Sequence, residues 1–384
     1  AQDEHAASIK LAHGHHYTVV VGKHAVIAVT MIRALLLAGC LVLVGCIDPA
    51  ARGLARPSKS EVPVVPPVNY TAKAFAYVVI SVADMDQALG LWVSRFGMQI
   101  VVRRQGSDRG LAKLWGLAEG DIIDQALLVT PGREQGGVHL VRFRVPGAAV
   151  REGAAPTDLV PKSVDIAVHD IRTRYAELEA AGYQFRSKIG RFETDGIVVH
   201  EVHMNGPESV NLVFLEQEGK PEHVSSLGYG VAPQVIATTP DNLGEKDFFE
   251  KVLGLDETSY HRFSGPEVER TIGLPPGGGL DVRIFGDAAY DYGRLEIVQY
   301  EGVQSKDLYP RAVPPARGLL SVTFFVPSID AALARAAALL QERGAAAMRS
   351  APRDHGITET LFGRARMATL TSPAGLVVQL VERP

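Results

Sequence analysis

The sequence is poor in cysteine, with only two such residues, Cys40 and Cys46, among its 384. Both lie in one apolar segment near the N-terminus, so the rest of the chain has none. Disulfides, thiolate metal ligands and a cysteine nucleophile are therefore excluded from the region that folds.

The sequence also lacks any tract of lysines and arginines. Its net charge is −4, and the acidic and basic residues are interspersed. Because nucleic-acid binding requires a concentrated basic surface, nucleic acid is excluded as a partner. Long apolar runs are missing as well, and the run that follows Arg33 is too short to cross a bilayer as a helix.

Residues 31–46 have the pattern of a signal peptide, a short basic start followed by an apolar stretch. The sequence Leu43-Val-Gly-Cys46 resembles the lipobox of bacterial lipoproteins, in which the cysteine carries the lipid. A second match ends at Cys40 but leaves a very short apolar stretch. We therefore interpret Cys46 as a lipid anchor, with a buried pair of apolar strands as the alternative.

The segments on either side of this stretch do not resemble the start of a domain. Residues 1–30 contain His13-Gly-His-His16 and are interpreted as a non-native or upstream extension, with a metal-binding tract as the alternative. Residues 47–72 contain five prolines and no periodicity, which predicts an extended tether. We expect a lipid-anchored protein of the bacterial cell envelope, periplasmic or extracytoplasmic, that meets the membrane only through its lipid.

A unit of strand, capped helix and glycine occurs four times after the tether. In the first copy an apolar strand starts at Tyr77, Asp84 is the helix N-cap, and Gly97 ends the helix. The third copy, with Asp241 and Gly254, lies 157 positions further on. Weaker copies start at Ser163 and Ser321. Each copy is followed by further strand candidates, so each of the four modules is predicted to have the order βαβββ.

These modules resemble the vicinal oxygen chelate superfamily, which includes glyoxalase I, bleomycin-resistance proteins and extradiol dioxygenases. The resemblance covers nearly everything after the tether, and it implies an α+β fold. In this superfamily two modules pair, and their sheet curls into a half-barrel around one cavity. We therefore expect four βαβββ modules forming two paired half-barrel (glyoxalase-like) domains, residues 73–218 and residues 229–383.

The resemblance also implies where metal ligands stand, at one position in the first strand and one in the last strand of a module. The first-strand positions are Tyr77, Ser163, Gln234 and Ser321. The last-strand positions are His139, Val213, Glu296 and Gln379. Glu296 is the single residue of the superfamily's ligand type, and one carboxylate does not hold a metal. We therefore predict no cofactor, while a divalent metal bound through unusual ligands stays open.

Seven of these positions are the candidate site residues. Tyr77 and His139 are predicted to face the first cavity and to act as acid–base catalysts. Glu296 is predicted to face the second cavity and to act as a base with a raised pKa. The predicted substrate-binding residues are Gln234, Gln379, Ser321 and Ser163. We expect Gln379 to share a cavity with Glu296, and the second half of the chain to hold the ligand. The alternative is a hydrogen-bonded polar pair for Tyr77 and His139, and an ordinary paired carboxylate for Glu296. Glu201 and His203, which share one face of a predicted strand, are assigned to the surface.

Three functions are compatible with these residues. The preferred one is a metal-independent lyase or isomerase that acts on a small, partly apolar, oxygenated molecule in a half-barrel cavity. The second is a non-catalytic protein that binds or sequesters a small molecule, as the bleomycin-resistance members do. The third is a metal-dependent lyase or dioxygenase with atypical ligands.

Overall fold

The structure, a computed structural model, describes residues 7–10, 16–19, 70–194, 196–220 and 223–383. Its contacts divide the chain into two units, residues 1–62 and 63–384. In the first unit, strand β1 (Ala7–Lys10) pairs in antiparallel fashion with β2 (His16–Val19). The predicted signal peptide with Cys46, and the tether up to residue 69, lie outside the described residues. Within the described part, no helix is long and apolar enough to cross a bilayer.

The second unit contains the four predicted modules. Module one comprises β3 (Phe75–Ser81), α1 (Met85–Leu89, continued as a π-helix over Gly90–Arg95), β4 (Gln99–Gln105), α2 (Arg109–Leu114), β5 (Ile122–Val129) and β6 (Gly137–Phe143). Module two comprises β7 (Pro161–Val168), α3 (Ile171–Ala180), β8 (Gly190–Thr194), β9 (Ile197–Asn205), a 3₁₀ turn (Pro207–Ser209) and β10 (Asn211–Gln217).

The remaining two modules follow the same order of elements. Module three comprises β11 (Tyr229–Thr238), α4 (Asn242–Asp247, continued as a π-helix over Phe248–Leu253), β12 (Asp256–Ser264), α5 (Pro266–Ile272), β13 (Gly279–Gly286) and β14 (Arg294–Glu301). Module four, after a 3₁₀ turn (Tyr309–Arg311), comprises β15 (Gly318–Val326), α6 (Ile329–Arg343), a 3₁₀ turn (Gly344–Ala346), β16 (Ser350–Thr360), β17 (Gly363–Thr371) and β18 (Val377–Glu382).

Every module starts its helix with a side-chain cap, as the sequence predicts. The carboxylate of Asp84 accepts a hydrogen bond from the Gln87 backbone N–H, and Asp241 accepts from Gly244. Asp170 and Ser328 cap the helices of modules two and four in the same way. A cap of this kind stabilises a helix by about 1 kcal/mol, so the strand–helix junction is encoded locally in each module.

The modules form two eight-stranded curled sheets. Sheet one has the order β16-β17-β18-β15-β3-β6-β5-β4 and joins module one to module four. Sheet two has the order β12-β13-β14-β11-β7-β10-β9-β8 and joins module two to module three. At the centre of each sheet two first strands pair in antiparallel fashion, β3 with β15 and β7 with β11. The α+β architecture with two half-barrels is confirmed.

The predicted pairing of consecutive modules is wrong. We expected module one to share a sheet with module two, and module three with module four, whereas each sheet takes one module from residues 73–218 and one from 229–383. The 157-residue repeat shows which modules resemble one another, and it is satisfied equally by either pairing. The linkers between modules lie side by side, with isolated bridges from Ala149 to Arg317 and from Leu159 to Asp307, and this brings the outer modules together.

The apolar side chains form one shared core and a smaller cluster on each concave face. The shared core contains Val78 of β3, Val164 of β7, Phe249 after α4 and Ala336 of α6, so helices and the outer faces of both sheets pack together. Burial of such side chains contributes roughly 1.5–3 kcal/mol each. The two concave faces have separate clusters and differ in how they are closed.

A short helix closes each half-barrel between its edge strands. In sheet one, α2 lies against β16, and a Cβ atom on Gly110 would stand 1.9 Å from the carbonyl oxygen of Glu359. Only glycine permits this approach. In sheet two, the rings of Phe192 on β8 and Phe263 on β12 meet with centroids 6.3 Å apart, and α5 packs beside β8. Both edge strands of sheet two therefore curl toward each other.

Candidate functional site

The concave face of sheet one brings together four of the predicted site residues. Val79 of β3 is in register with His139 of β6, and Tyr77 with Thr323 of β15. The Gln379 side-chain N–H donates to the Ser321 hydroxyl over 2.9 Å. Gln379 and Ser321 therefore lie with Tyr77 and His139 and not with Glu296, which corrects our expectation and follows from the pairing of module four with module one.

This first face is filled by the protein itself. Tyr77 and His139 are 3% and 1% exposed, and the ring of Phe362 lies 5.7 Å from each of their rings. Burial lowers the pKa of His139 to about 3 and raises the pKa of Tyr77 to about 12. Both groups therefore stay neutral between about pH 4 and 11. Their burial and these pKa values lend no support to their predicted role as acid–base catalysts.

His139 is also held by one neighbour. Its Nε2 atom lies 2.9 Å from the Gln125 side-chain oxygen, so Nε2–H is the donor, while Nδ1 is buried without a partner. A neutral imidazole with one fixed hydrogen bond is typical of a structural histidine in an apolar interior.

The concave face of sheet two contains Glu296 of β14 and Gln234 of β11. The Gln234 side-chain N–H donates to Glu296 Oε2 over 2.7 Å, so these two predicted site residues are in contact. Both side chains are half-buried, in contrast to the residues of the first face. Ser163 of β7 is in register with Ile236 of β11, so Ser163 belongs to this face and not to the first one.

A lysine enters the same face through a bulge. In the β7–β11 pair, Ile236 is opposite Ser163 and Ala237 is opposite Pro161, which leaves Lys162 as an extra residue. Lys162 is 2% exposed, and its ammonium group contacts the Tyr300 hydroxyl and lies 4.7 Å from the centroid of that ring. Strand alternation alone points Lys162 away from the cavity, so sequence reasoning missed it.

Glu201 and His203 are likewise inside, which corrects their assignment to the surface. His203 of β9 is in register with Val213 of β10, an inward position, and it is 2% exposed. Its Nε2 atom lies 2.5 Å from Glu201 Oε1. The prediction that the two share a face is confirmed, and only the register of β9 against β10 shows which face it is.

The titratable groups of sheet two influence one another strongly. Burial raises the pKa of Glu296 to about 8, with a further contribution from the charge of Glu201. Burial, followed by the charge of Glu296, raises the pKa of Asp165 well above its ordinary value. Burial lowers the pKa of Lys162 well below its ordinary value, and nearby arginines lower it further. Glu296 therefore exchanges its proton near neutral pH, and its charge is coupled to those of Asp165 and Lys162.

Apolar side chains surround this polar group. They come from α5 and from the far strands of sheet two and include Val268, Ile272, Leu280 and Val282. A cavity with apolar walls and a few convergent polar groups is the usual form of a small-molecule site. The second face is therefore the better candidate site.

The residues at the superfamily's ligand positions do not fit a metal. Sheet one offers one imidazole, a phenol, a serine and an amide without any carboxylate. In sheet two Val213 has no ligand atom, and the amide N–H of Gln234 occupies one oxygen of the Glu296 carboxyl. Among the described residues, no three His, Cys, Asp or Glu side chains are grouped to hold a metal ion. Divalent metals need several converging oxygen or imidazole ligands, and neither set supplies them.

Comparison with known proteins adds structural but no sequence relatives. No protein-family model matches the chain. No curated protein matches it in sequence. Glyoxalase I from Zea mays is similar in structure, with a TM-score of 0.54 and 15% identity over 81% of this chain and 92% of that chain. A point mutant of the same enzyme gives a TM-score of 0.56 and 16% identity over 81% of this chain and 94% of that one.

A putative dioxygenase from Bacillus subtilis subsp. subtilis str. 168 is similar as well, with a TM-score of 0.50 and 10% identity over 82% of this chain and 87% of that chain. At such identities the likeness concerns the fold alone, and the activity has to be argued from the residues. The four-module chain has a half-barrel fold like that of these glyoxalase I structures.

Proposed function

We propose that this protein is a metal-independent lyase or isomerase that moves a proton on a small, partly apolar, oxygenated molecule bound in the half-barrel of sheet two. The observation that supports this most is Glu296, a half-buried carboxyl on the concave face of sheet two, where burial raises its pKa to about 8. A carboxylate with such a pKa is a stronger base than an ordinary one and still loses its proton near neutral pH.

The neighbours of Glu296 have distinct tasks in this proposal. Gln234 holds Oε2 of the carboxyl by its hydrogen bond and leaves the other oxygen for the substrate. The carboxylate removes a proton from a carbon next to a carbonyl group, and negative charge then develops on the carbonyl oxygen. Lys162 and Tyr300, which contact each other, are donors suited to that oxygen. Return of the proton to a neighbouring carbon completes an isomerisation, and loss of a β-substituent completes an elimination.

Solvent-proton exchange tests this proposal directly. A panel of small α-oxo and α-hydroxy carbonyl compounds is incubated in D₂O with the protein, which has first been dialysed against a chelator. We expect one class of compound to incorporate deuterium next to its carbonyl group, because Glu296 exchanges its proton with solvent between turnovers. Mass spectrometry and proton NMR follow the incorporation.

Two other results would favour the alternatives. A compound that binds but neither exchanges nor reacts would support a sequestering protein. Exchange that disappears on dialysis and returns with a divalent metal would support a metal-dependent enzyme with atypical ligands.

We also propose that the protein is lipid-anchored outside the cytoplasm, on the basis of Leu43–Cys46 and the proline-rich stretch that follows. We expect Cys46→Ser to move the protein from the membrane fraction to the soluble fraction after expression in a bacterium that lipidates such motifs. Cys40→Ser is the matched control and is expected to stay in the membrane fraction. Membrane association that survives Cys46→Ser unchanged would contradict the proposal.

A further inference from the structure

A small pocket opens where β9 ends and β10 begins. Its volume is about 270 Å³, and Arg151, Arg186, Asn205, Asn211 and Ser209 are among the residues that line it. Acidic side chains are absent from this lining. Two guanidinium groups, two amides and a hydroxyl make the pocket rich in hydrogen-bond donors.

The two arginines of this pocket carry unpaired charge. Arg186 Nη1 donates to the Asn211 side-chain oxygen over 2.9 Å, and Nη2 donates to the backbone oxygen of Ile272 over 3.3 Å. Nη1 of Arg151 is buried without a hydrogen-bond partner. In the part of the chain that the structure describes, neither arginine forms an ion pair with a carboxylate. A buried cation is costly unless an anion accompanies it.

The electrostatic surroundings increase this cost. Burial lowers the pKa of Arg151, and the charge of Arg186 lowers it further, against smaller opposing effects of Tyr300 and Asp158. Both arginines in turn lower the pKa of Lys162, against smaller opposing effects of Glu201 and Glu296, so three basic side chains lie near one another at this end of sheet two. An anion in the pocket would relieve their mutual repulsion.

The pocket is connected to the candidate site by hydrogen bonds. Asn211 Nδ2 lies 3.1 Å from His203 Nδ1, and His203 Nε2 lies 2.5 Å from Glu201. Glu201 is the carboxylate that helps to raise the pKa of Glu296. A group bound between the arginines therefore lies on the same concave face as the proposed base.

We propose that the Arg151–Arg186 pocket binds the oxyanion head group of the substrate, so that the protein acts on a small organic anion. This inference rests on the proposed function and specifies its substrate class. Guanidinium groups bind carboxylates and phosphates through paired N–H donors, and Asn205 and Ser209 can supply further donors. The volume suits a head group with a short stem, while the rest of the molecule extends along the apolar wall of sheet two.

Binding of simple anions to the whole chain tests the proposal. Isothermal titration with sodium benzoate, inorganic phosphate and neutral benzamide is carried out at constant ionic strength. We expect an oxyanion to bind and benzamide not to bind. Arg151→Met should weaken anion binding about tenfold or more, because it removes a charged hydrogen-bond donor. Arg142→Met removes an exposed arginine on sheet one and is the matched control, expected to bind as the wild type does.

Each arm of the titration has a defined meaning. Binding of benzoate assigns the head group as a carboxylate, and binding of phosphate alone assigns it as a phosphate, and both support the site. Equal binding by Arg151→Met and wild type, equal binding of benzamide, or no binding of either anion would overturn it. Arg151→Met is preferred to Arg186→Met because Arg186 also holds Asn211 and α5 in place.

Anion binding and turnover can fail separately. Glu296→Gln should bind the anion as tightly as wild type, because Glu296 does not line the pocket. If the wild type binds the anion but exchanges no proton with any compound of the panel, the anion site is retained and the proposed reaction is rejected.

Discussion

Glu296→Gln is expected to reduce turnover by about 10²–10⁴-fold, the usual contribution of a positioned general base. Glutamine keeps the size of the side chain and the oxygen that accepts from Gln234, but it cannot take up a proton. The substrate should still bind, so the loss is expected in kcat and not in KM. The measurement is the steady-state rate with whichever compound exchanges deuterium in the screen.

The pH dependence provides an independent readout of the same residue. A base works only after it has lost its proton, so kcat/KM of the wild type should rise with pH and level off above about 8, the pKa of Glu296. Glu296→Gln should lose this rise. A structural role for Glu296 would lower activity without removing the pH profile.

His139→Asn is the matched control from the other half-barrel. His139 is at the position equivalent to Glu296, 157 residues earlier, but it is buried and its pKa is lowered to about 3. We expect this variant to change turnover by less than about threefold, within the range of small indirect effects on a remote site. If His139→Asn abolished activity while Glu296→Gln had no effect, the site would lie in sheet one and our choice of sheet two would be wrong.

The fold could be predicted from the sequence as far as its signals are local. The caps at Asp84 and Asp241, the alternation of the strands and the 157-residue repeat are all readable within one module. The partner of a first strand is not readable in this way, because the hydrogen bonds between β3 and β15 join residues far apart in the chain. This is why the modules were predicted correctly and their pairing was not.

Prediction of the candidate site from the sequence has the same limit. Glu296 and Gln234 follow from the repeat and the family resemblance, since both occupy equivalent positions of their modules. Lys162 depends on a bulge, and His203 depends on the register of β9 with β10. Neither the bulge nor the register can be predicted from the local sequence. Strand alternation places Glu201 and His203 on the same face of β9, but it does not show whether that face points inward. The pairing of His203 with the inward position Val213 decides this.

Another buried carboxyl, Glu245 of α4, makes stability depend on pH. It is 1% exposed and accepts hydrogen bonds from the Ser372 hydroxyl over 3.1 Å and from the Ala374 backbone N–H over 2.5 Å. Glu245 thus joins module three to the last hairpin of module four. Burial raises its pKa to about 7, although the two hydrogen bonds oppose this shift.

The sign of the pH effect follows from the protons bound in each state. A glutamate in the unfolded chain loses its proton near pH 4.5, whereas folded Glu245 keeps it to about pH 7. The folded state therefore binds more protons between these values, and its stability falls as the pH rises through this window. Above pH 7 the whole cost, roughly 3 kcal/mol for a shift of this size, is present.

Glu245→Gln is therefore expected to stabilise the protein at alkaline pH. The amide oxygen can still accept from Ser372 and Ala374, and no charge has to be buried. We expect the free energy of unfolding in urea to exceed that of the wild type by up to about 3 kcal/mol at pH 8.5, and to differ little at pH 4.5.

Glu208→Gln is the control with the opposite sign. Glu208 accepts hydrogen bonds from Arg317 and from the Ala83 backbone N–H over 2.7 Å each, so loss of its carboxylate should destabilise the protein. A difference between Glu245→Gln and the wild type that stays constant from pH 4.5 to 8.5 would show that Glu245 is not protonated in the folded protein, and that its carboxylate is held by the two hydrogen bonds alone.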